Sequence, residues 1–416
     1  MDLSTFLLVF AIAACIYMAC NIGANDVANA MGTSVGSGTL NFKQAILIAA
    51  VAEFAGAFLV GGHVSDTIRK GMLDPLIFAD VPFHLVYGMI AALVASAIWL
   101  HWASSLGWPV STTHSIVGAV IGFGMVAGGV DAISWSKVGK VVMSWVVSPV
   151  MGGVFAFFIF RFITHQILNQ RNPLLHAKKL LPFIVLIVCV ILANSMFYKG
   201  LKHLNLDLSF VTAMTYATAI GAVGFVISKV LVRRVEDVPI EDIHQQLVST
   251  EDIFKYLQII TAFYVAFAHG SNDVANAVGP LAAVVSILES GTVQMEVEMP
   301  VWILAMGGGC IVFGLLIWGR RVMMTIGSKI TEITPSRGFS AEFGAATVVL
   351  ICSKMGLPIS TTHTLVGSVI GVGMARGLPT LNLGIVYKIF ISWISTVPFT
   401  AILSAVLFKI MLLFLG

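Results

Sequence analysis

Residues 23–32 read GANDVANAMG, and residues 270–279 read GSNDVANAVG, which is identical at 8 of 10 positions. A second pair of motifs follows in the same order. GWPVSTTHSIVGAVIGFGM at 107–125 and GLPISTTHTLVGSVIGVGM at 356–374 are identical at 13 of 19 positions. The first pair is offset by 247 residues and the second by 249. Two different motifs repeated at nearly the same separation indicate an internal duplication of the chain.

The duplication divides the chain into three parts. We predict a first transmembrane repeat over residues 1–160, connecting transmembrane helices with a short cytoplasmic loop over 161–253, and a second transmembrane repeat over 254–416. Repeats of this kind commonly run in opposite directions through the membrane, with a binding site at their interface. We therefore expect two inverted-topology repeats.

The composition is that of a membrane protein. The 416 residues are 58% hydrophobic and only 10% charged, whereas an average soluble domain has about 25% charged residues. Apolar runs long enough to cross a bilayer recur along the whole chain. Because lipid-exposed backbone must satisfy its own hydrogen bonds, we predict an all-α polytopic membrane protein. We expect about 10–12 transmembrane helices, with some broken or re-entrant segments.

Several other classes of protein are disfavoured. The net charge of +3 is too small to indicate a nucleic-acid partner. The five cysteines form no C-x-x-C pair, so neither a disulfide framework nor a metal centre is expected. Residues 1–20 are apolar but lack a basic first region, which favours a retained helix over a cleaved signal peptide.

Lysine and arginine predict the orientation. Arg161 and Lys178 follow the first repeat, and Lys229 and Arg233 lie two spans further on. Basic residues concentrate in cytoplasmic loops, so we assign both groups to the cytoplasm. Opposite orientations of the repeats then place both termini on the extracytoplasmic side of a multi-pass protein of the cell (inner) membrane.

Each copy of the first motif places an aspartate, Asp26 or Asp273, inside an apolar stretch, where a charged group costs about 3 kcal/mol. Two asparagines four residues apart accompany each aspartate on one helical face: Asn25 and Asn29 in the first copy, Asn272 and Asn276 in the second. Carboxylate and amide oxygens suit Na⁺, and the carboxylates also suit a proton. The alternative is a cluster of helix caps and interhelical hydrogen bonds without a ligand.

A glycine precedes each of these groups. Gly23 and Gly270 predict that each helix breaks there and restarts with an asparagine or aspartate cap.

The second motif predicts an anion site. Pro109 and Pro358 interrupt apolar runs and disfavour helix just before them. Ser111 and Ser360 then have the position of N-caps, and the first turn of each new helix adds threonine hydroxyls: Thr112, Thr113, Thr361 and Thr362. Helix N-termini bind anions through free N–H groups and a partial positive charge. The alternative is an ordinary Ser/Thr helix start.

Four more polar residues lie in or beside these apolar stretches. His114 and His363 end the second motif, and either a ligand role or a satisfied structural hydrogen bond fits them. Glu53 and Glu342 are buried acids that do not coincide under the repeat offset, so each is an individual functional candidate. Lys354 is expected to extend its amine to the membrane surface.

Both duplicated motifs resemble those of the inorganic phosphate transporter (PiT) family. The resemblance covers both halves in order, and it extends to AAVAEFAGAFLVGGHVSDTIRKG around Glu53 and PSRGFSAEFGAATVVLICSKMGLPISTTH around Glu342. These last stretches are similar to the sodium-coupled branch. The central loop of about 20 residues is much shorter than in eukaryotic members and resembles a compact prokaryotic form.

The resemblance implies uptake of phosphate driven by Na⁺ or H⁺, with no enzymatic reaction and no cofactor except sodium as co-substrate. It implies phosphate ligands at Asn25, Ser111, Thr112, Thr113, Asn272, Ser360, Thr361 and Thr362. It implies cation ligands at Asp26, Asn29, Asp273, Asn276, Glu53 and Glu342.

Several alternatives stay open. Proton coupling would use the same carboxylates, and sulfate or another oxyanion fits the same donors. A passive channel is a further alternative, and an intramembrane aspartyl hydrolase is a remote one. A homodimer is compatible with such a fold, although no residue indicates one.

Overall fold

The computed structural model describes residues 2–61, 73, 75–197, 208–294, 299–354 and 359–415, which are almost entirely helical. The helices are α1 (Leu3–Ile22), α2 (Ala28–Gly36), α3 (Phe42–Val60), α4 (Pro82–Leu106), α5 (Thr112–Gly128), α6 (Trp135–Ile163), α7 (Pro173–Phe197), α8 (Phe210–Arg233), α9 (Ile243–Ser290), α10 (Val301–Trp318), α11 (Arg320–Met324), α12 (Pro335–Lys354), α13 (Thr361–Arg376) and α14 (Leu383–Leu415). Pro358 lies outside the described residues, and so does the side chain of Lys354.

The helices have the length and surface of membrane-spanning segments. Within the described residues, nine helical stretches are long and apolar enough to cross a bilayer, and α5 is a shorter apolar helix. Large apolar side chains lie on the outer surface, for example Leu413, Val211 and Ile394, each more than 70% exposed. Such a surface is stable only against lipid. The prediction of an all-α polytopic membrane fold is confirmed.

The prediction of helix breaks at Gly23 and Gly270 is wrong. Gly23 begins a π-helical turn, Gly23–Val27, that joins α1 to α2 without interruption. Gly270 lies inside α9, which is continuous over 48 residues. Both glycines instead allow close backbone approach, because a methyl group at Gly23 would overlap the carbonyl oxygen of Ile311, and one at Gly270 that of Glu53. Both positions do require glycine, but the reason is close helix packing and not a break in the helix.

The two repeats pack reciprocally. Helix α5 of the first repeat packs on α14 of the second, and α13 packs on α6. A methyl group at Gly122 would overlap the backbone of Ala401, and one at Gly371 would overlap that of Gly153. The two pairs are related by nearly the same offset as the sequence motifs. Contacts in which i meets j and j meets i define a two-fold relation between the repeats.

A matched pair of glycines in α10 tests this packing. A methyl group at Gly314 would overlap the carbonyl oxygen of Cys20 on α1, whereas one at Gly309 has no neighbour within 4 Å. Gly314→Ala should therefore destabilise the protein by about 1–3 kcal/mol through overpacking. Gly309→Ala should be neutral or slightly stabilising, because alanine favours helix over glycine. Thermal unfolding of both purified variants measures the difference, and equal melting temperatures would contradict the packing.

Candidate functional site

Two short helices begin inside the protein. Oγ of Ser111 accepts a hydrogen bond from the backbone N–H of His114 at 3.2 Å, and Oγ of Ser360 accepts one from His363 at 3.1 Å. Ser111 and Ser360 are therefore the N-caps of α5 and α13, as predicted. Both serines are buried, so each helix presents its N-terminal turn to the interior.

Each N-terminal turn holds one aspartate. Thr112 donates a hydrogen bond through Oγ1 to Oδ2 of Asp26 at 2.6 Å, and Thr361 donates one to Oδ2 of Asp273 at 2.6 Å. Asp26 lies on the π-helical turn and Asp273 on α9, both almost fully buried. The two sequence motifs of each repeat thus meet at one carboxylate.

Further hydrogen bonds join the repeats. Asn29 donates through Nδ2 to Oγ1 of Thr362 at 2.9 Å, and Thr362 donates to Oδ1 of Asp26 at 3.0 Å.

Reciprocally, Asn276 donates to Oγ1 of Thr112 at 3.2 Å and of Thr113 at 3.3 Å. All four sequence motifs therefore form a single site at the interface between the repeats.

The first asparagine of each motif has a different environment. The amide of Asn25 donates to Oγ of Ser104 and to the carbonyl of Trp108, both at 3.0 Å, and accepts from the N–H of Val110 at 3.1 Å. It thereby holds the turn that leads into α5. Asn272 donates to Oδ1 of Asp273 at 2.9 Å. Their predicted contacts with phosphate stay predictions.

His269 is a site residue that the sequence analysis did not identify. Its Nδ1 lies 2.8 Å from Oε2 of Glu53, and its Nε2 lies 2.8 Å from Oδ2 of Asp273 and 3.8 Å from Oδ2 of Asp26. The signal was available, because His269 precedes Asp273 by four residues and so shares its helical face. Glu53 is therefore paired with His269, and it belongs to the central site.

Glu342 lies in a separate polar cluster. Oε1 accepts hydrogen bonds from Thr33 at 2.6 Å, Ser34 at 2.7 Å and Gln258 at 3.1 Å, and Oε2 accepts one from Thr261 at 2.6 Å. These neutral hydroxyl and amide groups surround a carboxylate that is fully buried. Oxygen ligands of this type suit Na⁺, and the cation role of Glu342 stays a prediction.

Three side chains of the site have the arrangement of a candidate cation site. Ligand atoms of Asp26, His269 and Asp273 all lie within 4.8 Å of one another. The adjoining cavity, which Asp26, His269 and Thr362 help to line, measures about 20 Å³. A cavity of about 10–15 Å³ suffices for one water molecule, so this one accommodates an ion of similar size but no tetrahedral oxyanion. The cavity beside the aspartates is thus too narrow for phosphate in this state.

Many membrane-spanning helices and a buried polar site built from both repeats define a polytopic membrane transporter. The chain belongs to the phosphate transporter family, whose family model matches residues 22–404. A relative named phosphate permease from Pyrococcus horikoshii is 47% identical, covering 95% of both chains. An inorganic phosphate transporter of Arabidopsis thaliana chloroplasts is 44% identical, covering 94% of this chain and 70% of its own length.

The fold also matches a solved structure. A sodium-dependent phosphate transporter superposes with a TM-score of 0.90 at 41% sequence identity, covering 99% of this chain and all of its own. The predicted family is confirmed, and it is a family of transporters rather than enzymes. The interpretation as an aspartyl hydrolase is therefore wrong, because the family and these relatives are phosphate transporters and permeases.

Neutralising either central aspartate tests the site. Asp26→Asn and Asp273→Asn should each abolish phosphate uptake, because the amide cannot offset the charge of a bound cation. Both variants should be expressed at near-normal levels, since asparagine has the size of aspartate. Asp131→Asn makes the same change at an exposed position and should transport like the parent. Radiolabelled phosphate uptake into proteoliposomes measures all three, and normal uptake by either central variant would remove that aspartate from the site.

Proposed function

We propose that the chain is a sodium-coupled symporter of inorganic phosphate, in which phosphate and Na⁺ bind together at the interface of the repeats. One observation carries the proposal. The buried carboxylates Asp26 and Asp273 lie next to the N-terminal turns of two helices that come from opposite repeats. Cation ligands and anion-binding helix starts thus share one site.

The charge balance favours cation binding. Three carboxylates, those of Asp26, Asp273 and Glu53, face the single imidazole of His269. When all three are ionised, at least two negative charges remain even beside a protonated histidine. Uncompensated charge is costly inside a membrane protein. Sodium ions at Asp26 and Asp273 would remove this cost, with Asn29 and Asn276 supplying amide oxygens.

Phosphate would bind after the site widens. The hydroxyls of Thr112, Thr361 and Thr362, which donate to the aspartates, would turn to the phosphate oxygens as cations take over the carboxylates. Helix N-termini contribute backbone N–H groups and a partial positive charge. Neither helix start has a lysine or arginine in its motif, so the anion depends on the bound cations for charge compensation.

This dependence is the coupling. A phosphate without cations would meet the carboxylates, and cations without phosphate would lack their counter-ion. Each ligand therefore raises the affinity for the other, which is the reciprocal linkage that symport requires. Glu342 and its four donors form a second candidate sodium site, about one helical turn from the central one, since Thr33 follows Asn29 by four residues on α2. No covalent chemistry is involved.

Proton coupling is the second candidate. The contact between His269 and Glu53 favours it, because a buried imidazole and carboxylate at 2.8 Å can share a proton. The two candidates use the same site but respond to different gradients.

Uptake under controlled gradients distinguishes them. Proteoliposomes at fixed pH receive an inward Na⁺ gradient or an inward K⁺ gradient with radiolabelled phosphate outside. Sodium coupling predicts accumulation above equilibrium with Na⁺ alone. Equal uptake under both would contradict it, and a pH gradient would then test proton coupling. Equilibration without accumulation would indicate a channel, and uptake of sulfate in place of phosphate would contradict the cargo.

The orientation is also a proposal. Glu241 lies in an exposed loop next to the start of α9, on the side that the basic residues assign to the cytoplasm. A cysteine at position 241, in a chain whose native cysteines are replaced by alanine, should react with an impermeant maleimide only in inverted membrane vesicles. A cysteine at Asp2 should react only in intact cells. The reverse pattern would place Asp2 in the cytoplasm and the loop at Glu241 outside, and would contradict the proposed orientation.

A further inference from the structure

A large apolar groove lies on the outer surface. It has a volume of about 850 Å³, and it lies between α6 and α14 with α13 as its floor. Its walls carry exposed side chains such as Val150, Phe158 and Ile394, which are 57%, 65% and 72% exposed. The three helices belong to the membrane-embedded part of the fold, so the groove opens toward lipid.

One end of the groove is closed by aromatic rings. The rings of Trp145 and His114 lie tilted with centroids 3.8 Å apart, and His363 and Trp393 stack at 3.6 Å. His114 and His363 meet edge to face at 4.2 Å. We call these four residues the Trp–His quartet. His114 corresponds to His363 and Trp145 to Trp393 under the repeat offset. The quartet therefore lies at the two-fold axis that relates the repeats, near the middle of the fold.

The groove has the length of one lipid leaflet. Its wall on α6 runs from Trp145 to Phe158, which at 1.5 Å per helical residue is about 20 Å. Half of a bilayer hydrocarbon core is about 15 Å thick. A groove that begins near the middle of the fold and extends this far reaches the headgroup region of one leaflet.

The open end carries the groups expected at a lipid headgroup. Arg161 is exposed and lies one helical turn beyond Phe157 and Phe158, on the same face of α6. Tyr387 is 68% exposed and lies one turn before Phe390, on the groove face of α14. Arginine binds phosphate oxygens, and tyrosine is typical of the membrane interface.

We propose that this groove binds one anionic phospholipid, with an acyl chain along α13 and the chain end against the Trp–His quartet. The phosphate of the headgroup lies against Arg161. The apolar walls, the matching length and the positive charge at the open end together carry this assignment.

The bound lipid would contact a helix of the transport site. Helix α13 forms the floor of the groove, and its first turn supplies Thr361 and Thr362 to the central site. Its backbone packs closely on α6, because methyl groups at Gly367 and Gly371 would overlap Pro149 and Gly153. A lipid between α6 and α14 therefore stabilises the position of α13. The site would make transport depend on anionic lipid.

Lipid retention tests the proposal without relying on transport. The purified full-length protein is delipidated in detergent and titrated with phosphatidylglycerol or with phosphatidylcholine of the same chains, and bound lipids are counted by native mass spectrometry. Val150→Trp fills the groove and should lose the most tightly retained phosphatidylglycerol. Val226→Trp makes the same change at a valine of α8 that is 59% exposed, and it should retain the lipid. Arg161→Gln should weaken phosphatidylglycerol about fivefold and leave phosphatidylcholine unchanged, since a basic residue at the membrane surface contributes about 1 kcal/mol.

Two results would overturn the assignment. Equal retention by Val150→Trp and Val226→Trp would mean that only general surface lipid is bound. If Val150→Trp instead converted a dimer to a monomer, the groove would be an interface between two copies of the chain. Size-exclusion chromatography of each variant checks folding and oligomeric state before the titration.

Discussion

The architecture depends on two short hydrogen bonds, from Thr112 to Asp26 and from Thr361 to Asp273. Each joins the first turn of a helix that begins inside the protein to a carboxylate on a helix that crosses it. Both the carboxylate and the helix N-terminus would be costly if left without partners in a low-dielectric interior. Each group removes the cost of the other, and this mutual dependence explains why both motifs occur together in each repeat.

The two-fold relation between the repeats accounts for the framework of the site but not for its acids. The aspartates, the second asparagine of each first motif and the helix caps occur twice, in similar contacts. His269, Glu53 and Glu342 occur once each. Under the same offset His269 corresponds to Ile22, and the close contact of Gly270 with Glu53 corresponds to that of Gly23 with Ile311. A symmetric frame thus carries an asymmetric distribution of charge, so the two aspartates have different surroundings and different expected affinities for cations.

Much of this site was predictable because its residues form local patterns. The N-caps Ser111 and Ser360 follow from proline and Ser/Thr spacing, and the pairing of motifs follows from the repeat. The role of Gly23 and Gly270 was not predictable, since close packing against a distant backbone and a helix break require the same residue. His269 lacks a copy in the other repeat, so the repeat did not reveal it. Its pairing with Glu53, 216 residues away, depends on helix packing that no local pattern specifies.

The hydrogen bonds between the repeats also indicate what must move. Asn29 to Thr362, Thr362 to Asp26 and Asn276 to Thr112 all cross from one repeat to the other, beside a cavity of only about 20 Å³. A tetrahedral anion can enter only if some of these bonds separate. The bonds within each repeat, from Thr112 and Thr361 to their own aspartates, need not break for the halves to part. Opening is therefore expected as a displacement of one repeat against the other. Under the proposed function, the hydroxyls and amides that lose these partners are free to bind phosphate, so substrate binding would replace the closing contacts rather than add to them.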